Sequence, residues 1–452
     1  MRVPVTVKVC AVILFCVVSA IVSPAQTFTN LLSFTGPNGA SPESIVQGPD
    51  GNLWGATANG GLPNCGIVFK MSAAGVLTRV VSFNCTNINE GQGLILGTDG
   101  NLYGNTFWGA GNEGTVFRVK PGGAFTVLAS FDGSDGQEPV GSLTEGPDGN
   151  FYGATYSGGS NGWGTIFKVT PSGTLNALYN FDFTNGSQPY AGPVAGRDGN
   201  LYGTNYSGDF GGCGGVFKLT LKGAITVLHS FNCTSDGSAP VVSLAQGTDG
   251  NFYGTAINGG SSNGGTVFKI TPSGAFTVLH SFAGPEGQNP ASALIQATDG
   301  NFYGTTASGG ANGAGTVFKM TATGVLTDLH DFDGTDGAQP IGLVQDTNGT
   351  IYGIAAGGGT SGEGTIFSLA VGLGPFVKTL PTIGKVGTNV IIIGTNLKGA
   401  TSVSFNGVAA TFTVVSSSEI TATVPTGATT GKVQVKTPNR TLSSNVSFRV
   451  TK

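Results

Sequence analysis

The sequence predicts an all-β protein: a seven-bladed β-propeller closed by its own N-terminal strand, followed by an immunoglobulin-like β-sandwich. Three observations lead there. First, the string Gly247-Thr248-Asp249-Gly250-Asn251-Phe252-Tyr253-Gly254-Thr255 occurs seven times with small changes. Its Asp-Gly step (once Asn-Gly) falls at Asp50, Asp99, Asp148, Asp198, Asp249, Asp299 and Asn348, at intervals of 49 to 51 residues. Self-similarity at such a period marks propellers and solenoids. Second, 78 of the 452 residues are glycine and only 10% are charged, where an average domain has roughly 25% charged. That composition suits short strands joined by tight turns. Third, the array begins with a strand that its last repeat lacks.

The N-terminus carries an export-like address. Arg2 and Lys8 precede an apolar run, 9–22, too short to span a membrane comfortably. Ser23-Pro24-Ala25 then offers the small residues of a cleavage site, so residues 1–25 are expected to be a signal peptide cut before Gln26. No later segment reaches membrane-span length. The signal holds two basic residues and no acidic one, which leaves 18 basic against 24 acidic side chains and a net charge of −6. With no Lys/Arg run, nucleic acid is not an expected partner.

Each repeat holds four strand-like pieces, a to d, at 242–246, 251–256, 266–271 and 276–282 in the fifth. Asp249-Gly250-Asn251 turns a into b and Pro272-Ser273-Gly274 turns c into d, both strong turn signals. Four antiparallel strands in about 50 residues make one propeller blade. The last repeat has a (343–345), b (350–353) and c (364–369) but no d, whereas the stretch 27–34 matches the d strand 275–282. Residues 27–34 should therefore complete the seventh blade and remove the free edges of the seam.

Cys10 and Cys16 leave with the signal, and Cys65, Cys85, Cys213 and Cys233 remain. An even number of cysteines in an exported chain reads as disulfides. Each pair is 20 residues apart and occupies the start of c and the end of d in its repeat, so Cys65–Cys85 and Cys213–Cys233 are the expected bridges.

The recurring Asp299-Gly300-Asn301-Phe302-Tyr303-Gly304-Thr305-Thr306 and Gly315-Thr316-Val317-Phe318-Lys319 resemble the GloVer tandem repeats of exported bacterial proteins over about residues 27–370. The resemblance implies a secreted or surface protein and brings no catalytic residues with it. After a linker at 371–375 the text changes. Val390-Ile391-Ile392-Ile393-Gly394, Val403-Ser404-Phe405-Asn406-Gly407 and Ile420-Thr421-Ala422-Thr423-Val424-Pro425 alternate in the manner of an immunoglobulin-like sandwich at 376–452. They resemble the IPT/TIG family, which implies an accessory module of a surface protein. The propeller then occupies 26–370.

Several motifs have a structural reading beside the functional one. Gly109-Ala110-Gly111-Asn112-Glu113-Gly114 matches a dinucleotide fingerprint, but strand c should follow it rather than the helix the motif needs. His229, His280 and His330 hold one d-strand position in three blades, too far apart to share a metal. The paired aromatics of strand b and the strand-c phenylalanines read as core. Phe332-Asp333-Gly334-Thr335-Asp336-Gly337 has the alternating oxygens of a calcium loop and equally those of a plain turn. The sevenfold Asp-Gly-Asn reads as a turn, since one active site does not need seven copies.

Departures from the repeat are the better site candidates, because binding residues lie on loops held by a rigid frame. They fall in the b–c loops: Trp108 and Glu113 in blade two, Trp163 in blade three, Asp209 and Phe210 in blade four. The expected function is extracellular binding, of a polysaccharide or another surface protein, on the face that carries the b–c and d–a loops. The alternatives are a polysaccharide lyase or hydrolase on the same face, and a structural surface protein without a small ligand. No cofactor is expected beyond the calcium alternative.

Overall fold

The computed structural model describes residues 26–208 and 212–451; the signal-like stretch and the candidates Asp209 and Phe210 lie outside the described residues. The chain is all-β and propeller-like, and among the described residues there is no α-helix. No helix of the described residues is long and apolar enough to cross a membrane.

Each repeat folds into one four-stranded antiparallel sheet in the order a-b-c-d. The first consists of Ala40–Gln47, Leu53–Asn59, Ile67–Met71 and Leu77–Ser82. Strands b and c are buried almost throughout, whereas d is half-exposed. The reason lies in the packing. Both faces of b and c meet neighbouring sheets, so they carry near-continuous apolar runs.

A glycine sits at the centre of every b strand, opposite the strand-c phenylalanine, as with Gly254 and Phe268. A Cβ on Gly254 would lie 2.5 Å from the Phe268 ring, and on Gly353 2.2 Å from Phe367. The recurring Tyr-Gly and the recurring Phe are thus one packing unit, a ring lying over a bare backbone.

The seventh sheet consists of Ala338–Gln345, Ile351–Gly357 and Thr365–Ala370, joined by Thr27–Ser33 from the other end of the array. Thr27 lies opposite Ala370 and Ser33 opposite Thr365, antiparallel, with one irregularity between Asn30 and Leu32. Phe28 stacks on His330 of the sixth sheet at 3.5 Å.

Consecutive sheets share apolar clusters, and the seventh packs on the first in the same way. Tyr352, Ile354 and Ile366 of sheet seven meet Leu53, Ile67 and Phe69 of sheet one. The a strands of neighbouring sheets lie against one another and are innermost.

A backbone hydrogen bond repeats at every joint. The amides of Ser41, Glu90, Glu138, Gln188, Ala239, Asn289 and Gln339 donate to the b–c loop carbonyls of Glu363, Cys65, Glu113, Trp163, Cys213, Gly264 and Ala314 of the preceding sheet. All seven donors have left-handed backbone, φ between 50° and 58°. Non-glycine residues hold that conformation only where their surroundings over-determine it.

Sheets four to six differ from expectation in strand a. Only Val194–Ala195, Ala245–Gln246 and Ile295–Gln296 pair as strand, with single bridges such as Ser238 to Asn258 above them.

Beyond residue 370, Lys378–Leu380, Asn389–Ile393, Glu419–Thr423 and Phe412–Val414 form one sheet. Val408–Ala410, Ser402–Phe405, Val433–Lys436 and Thr441–Ser443 form another. The two share a core that includes Val390, Ile392, Phe405, Ile420, Val435 and Phe448.

Candidate functional site

The antiparallel order places the a–b and c–d turns at one end of the repeat array and the b–c and d–a loops at the other. The C-terminal two-sheet unit occupies the turn end. Ser418 Oγ donates to the Pro49 carbonyl at 2.8 Å, the Phe376 amide to the Thr347 carbonyl at 3.0 Å, and the Arg449 guanidinium to the Arg197 carbonyl. Lys378 Nζ reaches both Gln345 O at 2.5 Å and Gln47 Oε1 at 3.2 Å, spanning the joint between sheets seven and one. Burial holds its amine down to about 8, despite the nearby Asp346.

On the loop end, an arc of aromatic side chains crosses sheets two to four. Tyr156 lies near the end of its b strand, Phe151–Ser157, Tyr206 directly follows its b strand, Leu201–Asn205, and Tyr190 stands between them on the innermost segment of sheet four. The Tyr156 and Tyr190 rings are 5.0 Å apart, those of Tyr190 and Tyr206 5.3 Å. Beside them Trp163 meets Phe183 of the d–a loop at 5.0 Å. These are among the most exposed large apolar side chains: Trp163 40%, Phe183 46%, Tyr190 39%, Tyr206 38%. In sheet two, Phe107 and Trp108 pack edge to face at 4.8 Å, and Phe107 packs against the apolar cluster of sheets three and four.

The left-handed joint residues hold polar groups among these rings. Gln188 Nε2 donates to the Tyr156 hydroxyl at 2.8 Å, and its Oε1 accepts from Ser207 Oγ at 3.2 Å. Glu138 Oε2 accepts from Ser157 Oγ at 2.8 Å. Burial first, then the Tyr156 and Tyr206 hydroxyls and the Glu138 carboxylate, push the Tyr190 phenol above its usual value. On the innermost strand of sheet one, burial and then the charge of Glu90 push the Glu43 carboxyl up to about 7. Burial also raises Glu90.

The sequence-derived candidates divide. Trp108 and Trp163 lie on the expected face. Glu113 turns inward: its Oε2 is buried beside Gly133, and its backbone carbonyl serves the joint to Glu138. Asp209 and Phe210 are outside the described residues. The tyrosines and Phe183 were missed by inspection of loop tips, although a signal existed. The sixth position counted from the start of strand b reads Phe107, Tyr156 and Tyr206 in repeats two to four but Ala58, Ile257, Ala307 and Ala356 elsewhere.

Other motifs resolve into structure. Cys65–Cys85 and Cys213–Cys233 are bonded, with Cα atoms 5.4 and 5.3 Å apart, each tying a b–c loop to a d–a loop. The repeated Asp is a turn clasp. Asp198 Oδ2 accepts from Asn200 Nδ2 and the Tyr202 hydroxyl, each at 2.8 Å, and pairs with Lys218 at 2.8 Å. Against the burial that would raise it, Asp148 is held at about 2 by the equivalent bonds from Asn150, Tyr152 and Lys168.

Each histidine pairs with an acid of its own d–a loop: His229 with Asp236, His280 with Glu286, His330 with Asp336. In the loop 332–337, Asp333 Oδ1 accepts from Thr335 and from the Asp336 amide, so the loop uses this oxygen internally. Among the described residues no group of three or more His, Cys, Asp or Glu is placed to hold a metal. The Gly109–Gly114 string leads into the strand Thr115–Val119, not into an α-helix.

With this geometry in view, the comparisons place the chain. The Gloeobacter/Verrucomicrobia repeat model matches residues 17–211, 90–297 and 189–413, and the chain belongs to that repeat family. No curated protein sequence matches it. Among solved structures it is similar to the extracellular domain of the BT3049 hybrid two-component system of B. thetaiotaomicron. The identity is 14% and the TM-score 0.52, over 89% of this chain and 52% of that one. It is similar also to the extracellular domain of the BT4673 hybrid two-component system of the same organism, at 13% identity and TM-score 0.53 over 92% and 52%. The chain spans about half the length of these structures. At such identity the likeness is one of fold.

Proposed function

We propose that the chain is a secreted or surface-exposed binding protein. Its seven sheets are the blades of one closed β-propeller, residues 1–25 are its signal peptide, and the C-terminal unit is an immunoglobulin-like IPT/TIG module. It takes an extracellular polysaccharide on the loop end of blades two to four. The observation that carries this reading is the contiguous, repeat-breaking tyrosine arc of Tyr156, Tyr190 and Tyr206, the last two exposed, with Gln188 hydrogen-bonded to the Tyr156 hydroxyl. Tyrosine presents an apolar face and a polar tip together, which suits the C–H face and hydroxyl rim of a pyranose. Two disulfides and neighbours that are extracellular domains support the location. The extracellular domains of sensor proteins sharing this fold support binding over catalysis.

The test is a glycan-array screen of residues 26–452, followed by titration of the best ligand into Tyr190→Ala and Tyr206→Ala. Each variant is expected to lose about fivefold in affinity, since one stacked aromatic contributes on the order of 1 kcal/mol. Parent-like affinity in both variants would place the site elsewhere.

A second reading, a polysaccharide lyase or hydrolase, draws on Glu43. A carboxyl raised to about 7 beside a second carboxylate suits a general acid. Reducing-sugar release by the parent and its loss in Glu43→Gln would establish it; binding without release excludes it.

A further inference from the structure

A cleft of about 540 Å³ opens at the opposite end of the molecule, between the turn of sheet seven and the C-terminal unit. Its lining includes Asn348, Asn396 and Asn439, the cations Lys398 and Arg440, and the apolar Leu442 and Pro438. No lining residue is acidic, although acids outnumber bases in the chain, 24 to 20. Among the described residues neither Lys398 nor Arg440 has a carboxylate within ion-pair distance, and both are exposed.

The repeat itself explains why no acid is present. In sheets one, three and four the turn aspartate pairs with a strand-c lysine: Asp50 with Lys70, Asp148 with Lys168, Asp198 with Lys218. In sheet seven both partners are replaced by neutral residues, Asn348 and Ser368. The turn that faces the cleft thus lacks the aspartate of the other repeats, and its one acid, Asp346, is buried and accepts from the Asn348 amide at 2.8 Å.

The walls are braced from several sides. Thr395 Oγ1 bonds Thr347 Oγ1 at 3.0 Å, the Leu397 amide donates to Ser417 O at 2.8 Å, and Thr437 closes its turn on the Arg440 carbonyl at 2.9 Å. Asn396 is held with left-handed backbone, φ 58°.

We propose that this cleft is a second binding site, for a sugar unit bearing a carboxylate or a sulfate ester. The guanidinium of Arg440 and the ammonium of Lys398 supply charge-assisted donors to the oxyanion. Asn348, Asn396 and Asn439 supply the amide groups that pair with ring hydroxyls, and Leu442 and Pro438 supply the surface against which a ring face rests.

Titration calorimetry on residues 26–452 tests it with four probes: glucuronate, galactose 6-sulfate, glucose and inorganic sulfate. One or both acidic sugars should bind, more weakly as salt rises, and glucose should not. Lys398→Gln and Arg440→Gln should each lower that affinity about tenfold or more, as expected for a lost hydrogen bond to a charged group. Tyr190→Ala should leave it unchanged, which separates this site from the tyrosine arc. No saturable heat with either acidic sugar at millimolar concentration, or parent-like binding by both variants, overturns the proposal. Inorganic sulfate binding as tightly as the sugars overturns the assignment of a sugar.

Discussion

Glu43 shows how one side chain on the innermost strand carries a cost. Burial and the neighbouring Glu90 raise its carboxyl from 4.5 to about 7 in the folded chain. A raised acid is protonated in both states below pH 4.5 and costs nothing there. As pH rises from 4.5 to 7 the unfolded chain loses its proton first, and folded stability falls by an amount on the order of 3 kcal/mol. Above pH 7 the full cost remains. Glu43→Gln should therefore raise the thermal midpoint at pH 8 and leave it unchanged at pH 4. Denaturation scans at the two pH values check this; an equal shift at both would mean that the carboxyl is not perturbed. A residue kept against such a cost is a reasonable place to look for function, which is why Glu43 anchors the catalytic alternative.

At the scale of the element, the unit is strand b laid on strand c. Gly254 has no Cβ because Phe268 Cζ would lie 2.5 Å and Leu244 Cδ2 2.7 Å from it. Gly254→Ala must push a buried ring aside and should cost about 1–3 kcal/mol. Gly122→Ala, on a c–d turn with open space around it and ordinary φ, should stay within about 0.5 kcal/mol of the parent. Urea titrations of the two variants test the contrast, and equal losses would refute it. This unit was legible in the sequence because its constraints are local and recur in every repeat: the Asp-Gly-Asn turn, the Tyr-Gly pair, the strand-c phenylalanine. The disulfides were legible for the same reason, as matched positions in two repeats. The tyrosine arc was not, because it is assembled across sheets. Tyr190 belongs to a stretch where strand a keeps only two paired residues, so the repeat offers no clear column in which to compare it. Glu113 differs in the opposite sense: its place on a loop suggested exposure, but its Oε2 is buried beside Gly133. The cleft at the turn end was also beyond reach, since Lys398 and Arg440 meet Asn348 only when the C-terminal unit docks.

At the scale of the whole molecule, the seam between sheets seven and one decides how the array behaves. If Thr27–Ser33 closes the array, the chain's first strand supports its last repeat, and loss of either end should be felt throughout. Three observations favour that coupling. Phe28 is sandwiched between His330 and the Phe332 and Phe367 rings of sheets six and seven. Phe34 joins the cluster between sheets seven and one. Lys378 then ties Gln345 of sheet seven to Gln47 of sheet one from the turn end. Removing residues 26–34 would expose the whole edge of Thr365–Ala370 and empty both aromatic sites, so the main unfolding transition itself should move to lower temperature. The milder Phe28→Ala should lower stability by about 3 kcal/mol, the usual scale for truncating a packed phenylalanine. Calorimetry distinguishes the outcomes. A single transition shifted downward in both variants is the result expected of a closed ring. A main transition at the parent temperature, with only a small early unfolding event, would mean that the N-terminal strand frays independently and that the other sheets stand without it.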